Sequence, residues 1–326
     1  MPRKEKIAVI CAKGLDSFID SIIDGLAEDY WVRRIIITNQ KEITDAIDWA
    51  DIVWFEWCNE VAIIGTRYQG ARKKKVIIRL HSYEALSALP TQVTWQNVDR
   101  LIFVAPHIRE ILKETIPDIG EKAKTEIVYN GLDIDKIPFK EREPGDNIAW
   151  VGYINYKKNP PMALQIMNKL VKINSRYKLH IAGVSQDMRY DVYLKHMAKE
   201  MGLSKNIIFH GWLKDMESFW EDKNYLLHTS IHEGHSLAIM EAMARGIKPV
   251  IHNFRGAAQL YPRCCLFDGV DYAVANIRGL YDSTVVDERG GCSMEYDSVA
   301  CRDWIIFKEW TIDNQIKQIK EIIEEL

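Results

Sequence analysis

The chain has 326 residues, 47% of them hydrophobic, and a formal net charge of −3 at neutral pH. That length exceeds what one hydrophobic core ordinarily serves, so two domains are expected. Charges of both signs are spread along the sequence, so no global positive field would gather nucleic acid, which disfavours a dedicated DNA or RNA binder. The six cysteines (Cys11, Cys58, Cys264, Cys265, Cys292 and Cys301) show neither a CxxC pair nor zinc-ligand spacing, and are expected to be free, packed thiols in a reducing compartment. The apolar run that ends before Lys13 is too short for a signal peptide or a membrane span, which points to the cytoplasm and leaves peripheral attachment to a membrane open.

In chain order, short apolar runs that read as buried parallel strands alternate with helical patterns: KIAVICA near the start, RRIIIT at 33–38, DIVWFEW at 51–57, KVIIRLH at 75–81 and RLIFVAP at 100–106. Runs without polar alternation suit strands covered on both faces by helices. The pattern breaks after Pro117 into EIVYNGLD and then the polar KEREPGDN, a linker composition that puts a boundary near 135–146. A second series follows: NIAWVGYI at 147–154, KLHIAGV at 178–184, NIIFHGW at 206–212, YLLHTS at 225–230 and KPVIHN at 248–253. Two doubly wound α/β units are the simplest reading. The segment TIDNQIKQIKEIIEEL closes the chain as an amphipathic helix with Ile312, Ile316, Ile319 and Ile323 on one face. The expected layout is 1–140, 145–305 and a closing helix at 306–326 that packs back toward the first domain.

The stretch SIHEGHSLAIMEAMARGIKPVI at 230–251 carries the chemistry. It places a turn containing Gly234 between a strand and a helix, where backbone N–H groups at a helix N-terminus offer a site for a diphosphate. Glu233 and Glu241 are eight residues apart, just over two helical turns, so both can face one ligand. The pattern S-x-x-E-G-x-S-x-x-x-x-E-A-M-A-x-G resembles the signature of the retaining GT-B glycosyltransferases of family 4, glycosyl transferases group 1. Asn130, Gly131 and Asp133, then WVGYINYKKNP at 150–160, LHIAG at 179–183, FHGW at 209–212 and FKEWTIDNQI near the end follow in the family's order. The runs at 53–65 and 79–86 also look like N-terminal domains of such enzymes.

The resemblance implies two Rossmann-like domains facing a cleft, an acceptor-binding N-terminal domain and a C-terminal domain for a nucleotide-diphosphate sugar. It places Glu233 beside the sugar hydroxyls and Glu241 on the ribose, with the backbone of Gly234, His235, Ser236 and Leu237 cradling the diphosphate. It makes Lys158 the cation that neutralises the leaving phosphate and puts His81, at the end of its strand, near the anomeric carbon. Gly14, Gly152, Tyr153 and Gly211 stand where the family's donor-binding loops lie. Two departures stand out: Tyr153 follows Gly152 where many relatives carry arginine, and the first loop has Gly14 alone where relatives often pair glycines. One phosphate cation is then missing or supplied from elsewhere, Arg79 and Lys157 being the candidates.

Simpler readings compete at several positions. His232 and His235 are three apart whereas HExxH zinc sites need four, and Asp133-Ile134-Asp135 reads as turn chemistry in the linker, so neither a metal nor another cofactor is expected. Trp54, Phe55 and Trp57 are read as buried strand ahead of a stacking platform. The run from Arg72 to Lys75 is read as a solvated loop, with an anionic acceptor as its sharper alternative. The donor base and sugar stay open between UDP and GDP types. For the acceptor, a glycan, lipid or protein is favoured over nucleic acid. Two rivals to transfer remain: a degenerate GT-B protein that binds a sugar nucleotide or a partner without reaction, and a sugar-nucleotide epimerase.

Overall fold

The computed structural model describes residues 3–16, 18–280 and 297–326. Two compact units emerge, one formed by Met1–Asp133 with Glu309–Leu326 and the other by Ile134–Lys308.

The first unit is built on a six-stranded sheet of β1 (Lys6–Ala12), β2 (Trp31–Ile37), β3 (Ile52–Glu56), β4 (Lys75–Leu80), β5 (Arg100–Phe103) and β6 (Lys124–Ile127), in the order β2-β1-β3-β4-β5-β6. All neighbours are parallel. The central strands are continuous apolar runs because helices cover both faces; every residue of β3 is buried. β2 reads in sequence like a buried strand, yet it lies at the sheet edge, where Trp31 is 63% exposed. β6, at the opposite edge, is the polar tetrapeptide KTEI, too weakly apolar to announce itself as a strand.

The closing helix Ile312–Glu324 buries Ile319, Ile322 and Ile323 with Ile19, Ile22 and Leu26 around helix Asp20–Ala27. Burying each such side chain contributes about 2 kcal/mol. Gly25 permits this approach, since a Cβ there would lie 2.5 Å from Ile316 Cδ1. The helix is held at its start by Leu132, which bonds to Trp310 and Ile312, and by the Gly131 N–H donating to Gln315.

The second unit repeats the architecture with β7 (Asn147–Val151), β8 (Lys178–Ala182), β9 (Ile207–Gly211), β10 (Tyr225–His228), β11 (Lys248–His252) and β12 (Leu266–Phe267), in the order β12-β11-β10-β7-β8-β9. The strands are again parallel. Helix Pro160–Ile173 starts on two prolines, whose fixed φ suits the first turn, and buries Ala163, Leu164, Ile166, Met167 and Leu170. These pack with Ile148, Trp150, Leu179, Ile181 and Leu227 from the sheet into one core. Among the described residues no helix is long and apolar enough to cross a membrane.

Four cysteines, Cys11, Cys58, Cys265 and Cys301, are free and buried. Cys264 is disulfide-bonded, which corrects the expectation of free thiols throughout, and Cys292 lies outside the described residues.

In each sheet the strand order reverses direction between two adjacent strands, β1 and β3 in the first unit and β7 and β10 in the second. Crossover helices leave such a point toward opposite faces, which opens a crevice at the carboxyl edge where ligands of this fold class bind. At that edge of the second unit Gly183 has φ +146, and a Cβ on it would lie 1.9 Å from the Gly152 carbonyl oxygen. Gly183→Ala is therefore expected to cost about 3 kcal/mol in urea unfolding, from backbone strain and overpacking together. An unchanged midpoint would show that the loops after β7 and β8 need no such close approach.

Candidate active site

In the second unit the segment after β10 runs from Thr229 to Ser236 and enters helix Leu237–Ala244. The loop after β7 is stitched to it. Trp150 Nε1 donates to Thr229 Oγ1 at 3.0 Å, Thr229 Oγ1 donates to the Lys158 carbonyl at 2.7 Å, and the Ile231 N–H donates to the Lys157 carbonyl at 2.9 Å. Asn159, in the left-handed conformation at φ 47, turns the chain from this loop into helix Pro160–Ile173. Lys157 and Lys158 are thereby aimed at Glu233.

Glu233 is buried. Lys158 Nζ lies 2.6 Å from its Oε1, Lys157 Nζ 3.5 Å from its Oε2, and His228 Nε2 3.3 Å from Oε1. Burial alone would raise the carboxyl, but the Lys158 charge, His228 and Lys157 together hold it well below its ordinary value. Burial holds the His228 imidazole down, with the two lysines adding to that effect and Glu233 opposing it. Two lysines therefore face one ionised carboxylate, and the cluster offers positive charge to an anion. Beside it, helix Leu237–Ala244 has Ser236 at its cap, and no side chain bonds to that cap. Gly234, His235 and Ser236 are buried in the turn that precedes it, and Leu237 opens the helix.

Glu241 lies on the same helix, and its carboxyl is raised by burial and by Glu217, with Arg245 opposing. The two glutamates of the motif thus shift in opposite directions: one is matched by cations and the other sits in a poorly solvated place. Gly152 (φ +143) and Gly211 (φ +67) end β7 and β9. The residues that follow them, Tyr153 and Trp212, are 45% and 63% exposed, with ring centroids 5.7 Å apart.

His81 and Gly14 belong to the first unit, at its own carboxyl edge. His81 Nε2 meets Glu56 Oε1 at 2.6 Å, and Glu56 also accepts from Arg79 Nη1 at 3.1 Å and from Trp54 Nε1 at 2.8 Å. Burial works to raise Glu56, but Arg79, His81 and Trp54 together lower it. Arg79 is 1% exposed and donates also to Asn130 Oδ1 at 2.6 Å, so its charge is spent inside the first unit. Of the two cations considered for the missing phosphate contact, Lys157 is the one beside Glu233.

Trp57 lies beyond β3, half-buried and at φ +83, not within a buried strand as its sequence context suggests. A bulky side chain in that backbone region costs about 1–3 kcal/mol and persists only where neighbours enforce it. Gly14, at φ +82, shapes the loop whose Leu15 carbonyl accepts from Trp57 Nε1 at 2.8 Å. Sequence reasoning missed Glu56 and His228, since each looks like an ordinary member of a strand.

Residues 133–261 match the model of the family described as Glycosyl transferases group 1. No curated protein matches the chain by sequence. Among solved structures, HepE of Anabaena in complex with UDP is similar at TM-score 0.75 and 14% identity, over 98% of this chain and 100% of that one. The sucrose-phosphate synthase of Thermosynechococcus elongatus follows at TM-score 0.74 and 13% identity, over 99% of each chain. The lipopolysaccharide outer core galactosyltransferase WaaB gives TM-score 0.68 and 16% identity, over 98% and 100%. At these identities the likeness is one of fold, and the fold is GT-B, as the sequence motifs imply.

The opposite shifts of the two motif glutamates have a measurable sign. Glu233 is lowered, so its contribution to stability is present above the ordinary value of 4.5 and is lost as pH falls through its folded value. Glu241 is raised, so its cost is absent at low pH and sets in as pH rises through 4.5 toward its folded value. At pH 7 the melting temperature should fall in Glu233→Gln and rise in Glu241→Gln, and both differences should shrink toward zero on acidification. Lys158→Met, which removes the closest cation from a buried carboxylate, is expected to cost about 3 kcal/mol.

Proposed function

We propose that the protein is a retaining glycosyltransferase of family 4 that transfers a sugar from a UDP- or GDP-type donor to an acceptor hydroxyl in glycan or glycoconjugate synthesis. The observation that carries this reading is the Lys157–Lys158–Glu233 cluster set against the open N-terminus of helix Leu237–Ala244 at the strand-order reversal of the second unit. Lysine charge and aligned N–H groups suit a diphosphate, and they act most strongly as negative charge develops on it while the glycosidic bond breaks. Glu233, held ionised, accepts hydrogen bonds from the donor sugar's hydroxyls. Glu241 takes the ribose, and binding there offsets the cost of its burial. The Tyr153–Trp212 surface supports the base. The first unit takes the acceptor.

The reaction proceeds with retention: the diphosphate departs, an oxocarbenium-like sugar forms, and the acceptor hydroxyl attacks the face it has left, giving its proton to the departing diphosphate. With lysines and a helix N-terminus for the diphosphate, no metal is required. The family match over 133–261 and the likeness to HepE, solved with UDP, both support a nucleotide-sugar donor. We place the protein in the cytoplasm, where its donors are made.

The test is a melting-temperature screen against UDP, GDP, ADP, CMP and TDP sugars, with and without EDTA. One nucleotide family should raise the melting temperature in both conditions, and Glu241→Ala should abolish the rise. Lys158→Ala should slow transfer or slow donor hydrolysis by about 100-fold or more. Binding without transfer or hydrolysis would favour a degenerate binder, and no binding to any of the five would overturn the assignment.

A further inference from the structure

The donor site leaves one constellation unused, the aromatic row at the carboxyl edge of the first unit. Trp57 stacks on His81 with centroids 3.9 Å apart and planes 22° from parallel, and on Tyr83 at 5.6 Å and 29°. Phe18 closes the row edge-on, 5.9 Å from Trp57 and 5.1 Å from His81. The row is formed by the segments that follow β1, β3 and β4 at the carboxyl edge, beside the strand-order reversal between β1 and β3.

Three ties fix the residue: the backbone Trp57 N–H donates to the Arg79 carbonyl at 2.9 Å, Nε1 donates to the Leu15 carbonyl at 2.8 Å, and His81 covers the indole. A tryptophan held in the left-handed region and pinned from three sides presents its ring in one fixed orientation. Tyr83 is 43% exposed, so the row ends in aromatic surface open to solvent, with the ionised Glu56 and its partners His81 and Arg79 directly behind.

We propose that the Trp57–Tyr83 row is a stacking platform for the pyranose ring of the acceptor, which makes the acceptor a carbohydrate. This rests on the reading of the first unit as the acceptor-binding half. A sugar ring has C–H faces that lie against the electron-rich face of an aromatic ring and an equatorial rim of hydroxyls that wants polar partners. The row offers the ring faces and, at its exposed end, the Tyr83 hydroxyl as a polar partner, while Glu56 and Arg79 are engaged with each other and with Asn130. A lipid tail would instead ask for aliphatic walls free of charge, whereas here a buried carboxylate, imidazole and guanidinium stand immediately behind the rings.

The experiment uses the full chain and saturation-transfer NMR with the methyl pyranosides of glucose, galactose, mannose and N-acetylglucosamine, beside 1-O-hexylglycerol and uridine. Nucleotide-induced melting shifts are read on the same samples. At least one pyranoside should receive saturation on its ring protons. Its affinity should fall about tenfold in Trp57→Ala, the scale of one lost stacking contact, and stay within about threefold in Trp57→Phe, which keeps a ring. The nucleotide shift should persist in both variants, and its presence also shows that they are folded. If wild-type protein binds nucleotide but no pyranoside, or only hexylglycerol or uridine, the platform is overturned while the donor reading stands. If the pyranoside binds equally well to Trp57→Ala, the platform is again overturned. Failure of every nucleotide overturns the donor reading instead.

Discussion

A carboxylate taken out of water must be matched by charge or hydrogen bonds close by, or it will not stay ionised. Each unit contains such a group at the reversal of its strand order, Glu56 in the first and Glu233 in the second. Each recruits a cation and a histidine, Arg79 with His81 in one case and Lys158 with His228 in the other. Much local geometry follows from that demand: the loop after β7 folds onto the segment after β10, and the loop after β3 is drawn to the end of β4. The two solutions differ in what they leave over. Glu56 is enclosed by its partners, whereas Glu233 is outnumbered by lysines, which leaves an excess of positive charge.

Much of the fold was legible because parallel strands covered by helices are written as apolar runs, and ten strands could be read in that way although the edge strand β2 carries Arg33 and Arg34 and is largely uncovered. The two that escaped lack that signature: β6 is polar and lies at an edge, and β12 has only two residues. The motif from Ser230 to Gly246 could be read for chemistry because a tight turn, a helix start and two carboxylates follow at fixed spacing. Glu56 could not be read in this way. Its pairing with Arg79 depends on the register of β3 against β4, which sets those two residues side by side although 23 positions separate them. Arg79 therefore looked available as a phosphate cation when the fold had already engaged it. Trp57 was misplaced for a related reason, since one residue beyond a strand end can look like strand until the backbone turn is seen.

Strong helix formers fill seven of the eight positions of helix Leu237–Ala244, and packing adds to that propensity. Helix Leu237–Ala244 is apolar nearly all round, with Ile239, Met240, Ala242, Met243 and Ala244 buried. A helix so enclosed cannot shift to suit a ligand, so its N-terminus is positioned before any ligand arrives.

The glycines at the carboxyl edge of the second unit separate the frame of the site from its lettering. Gly152, Gly183 and Gly211 end β7, β8 and β9 in backbone conformations that other residues rarely adopt. The side chains that follow them, Tyr153, Val184 and Trp212, are all turned outward into solvent. A mutation in the glycines disturbs the sheet, but one in their successors changes only what the rim displays. Selection can thus rewrite the second set of positions freely while the first is held fixed, and a fold arranged in this way can acquire new ligand preferences without passing through unstable intermediates.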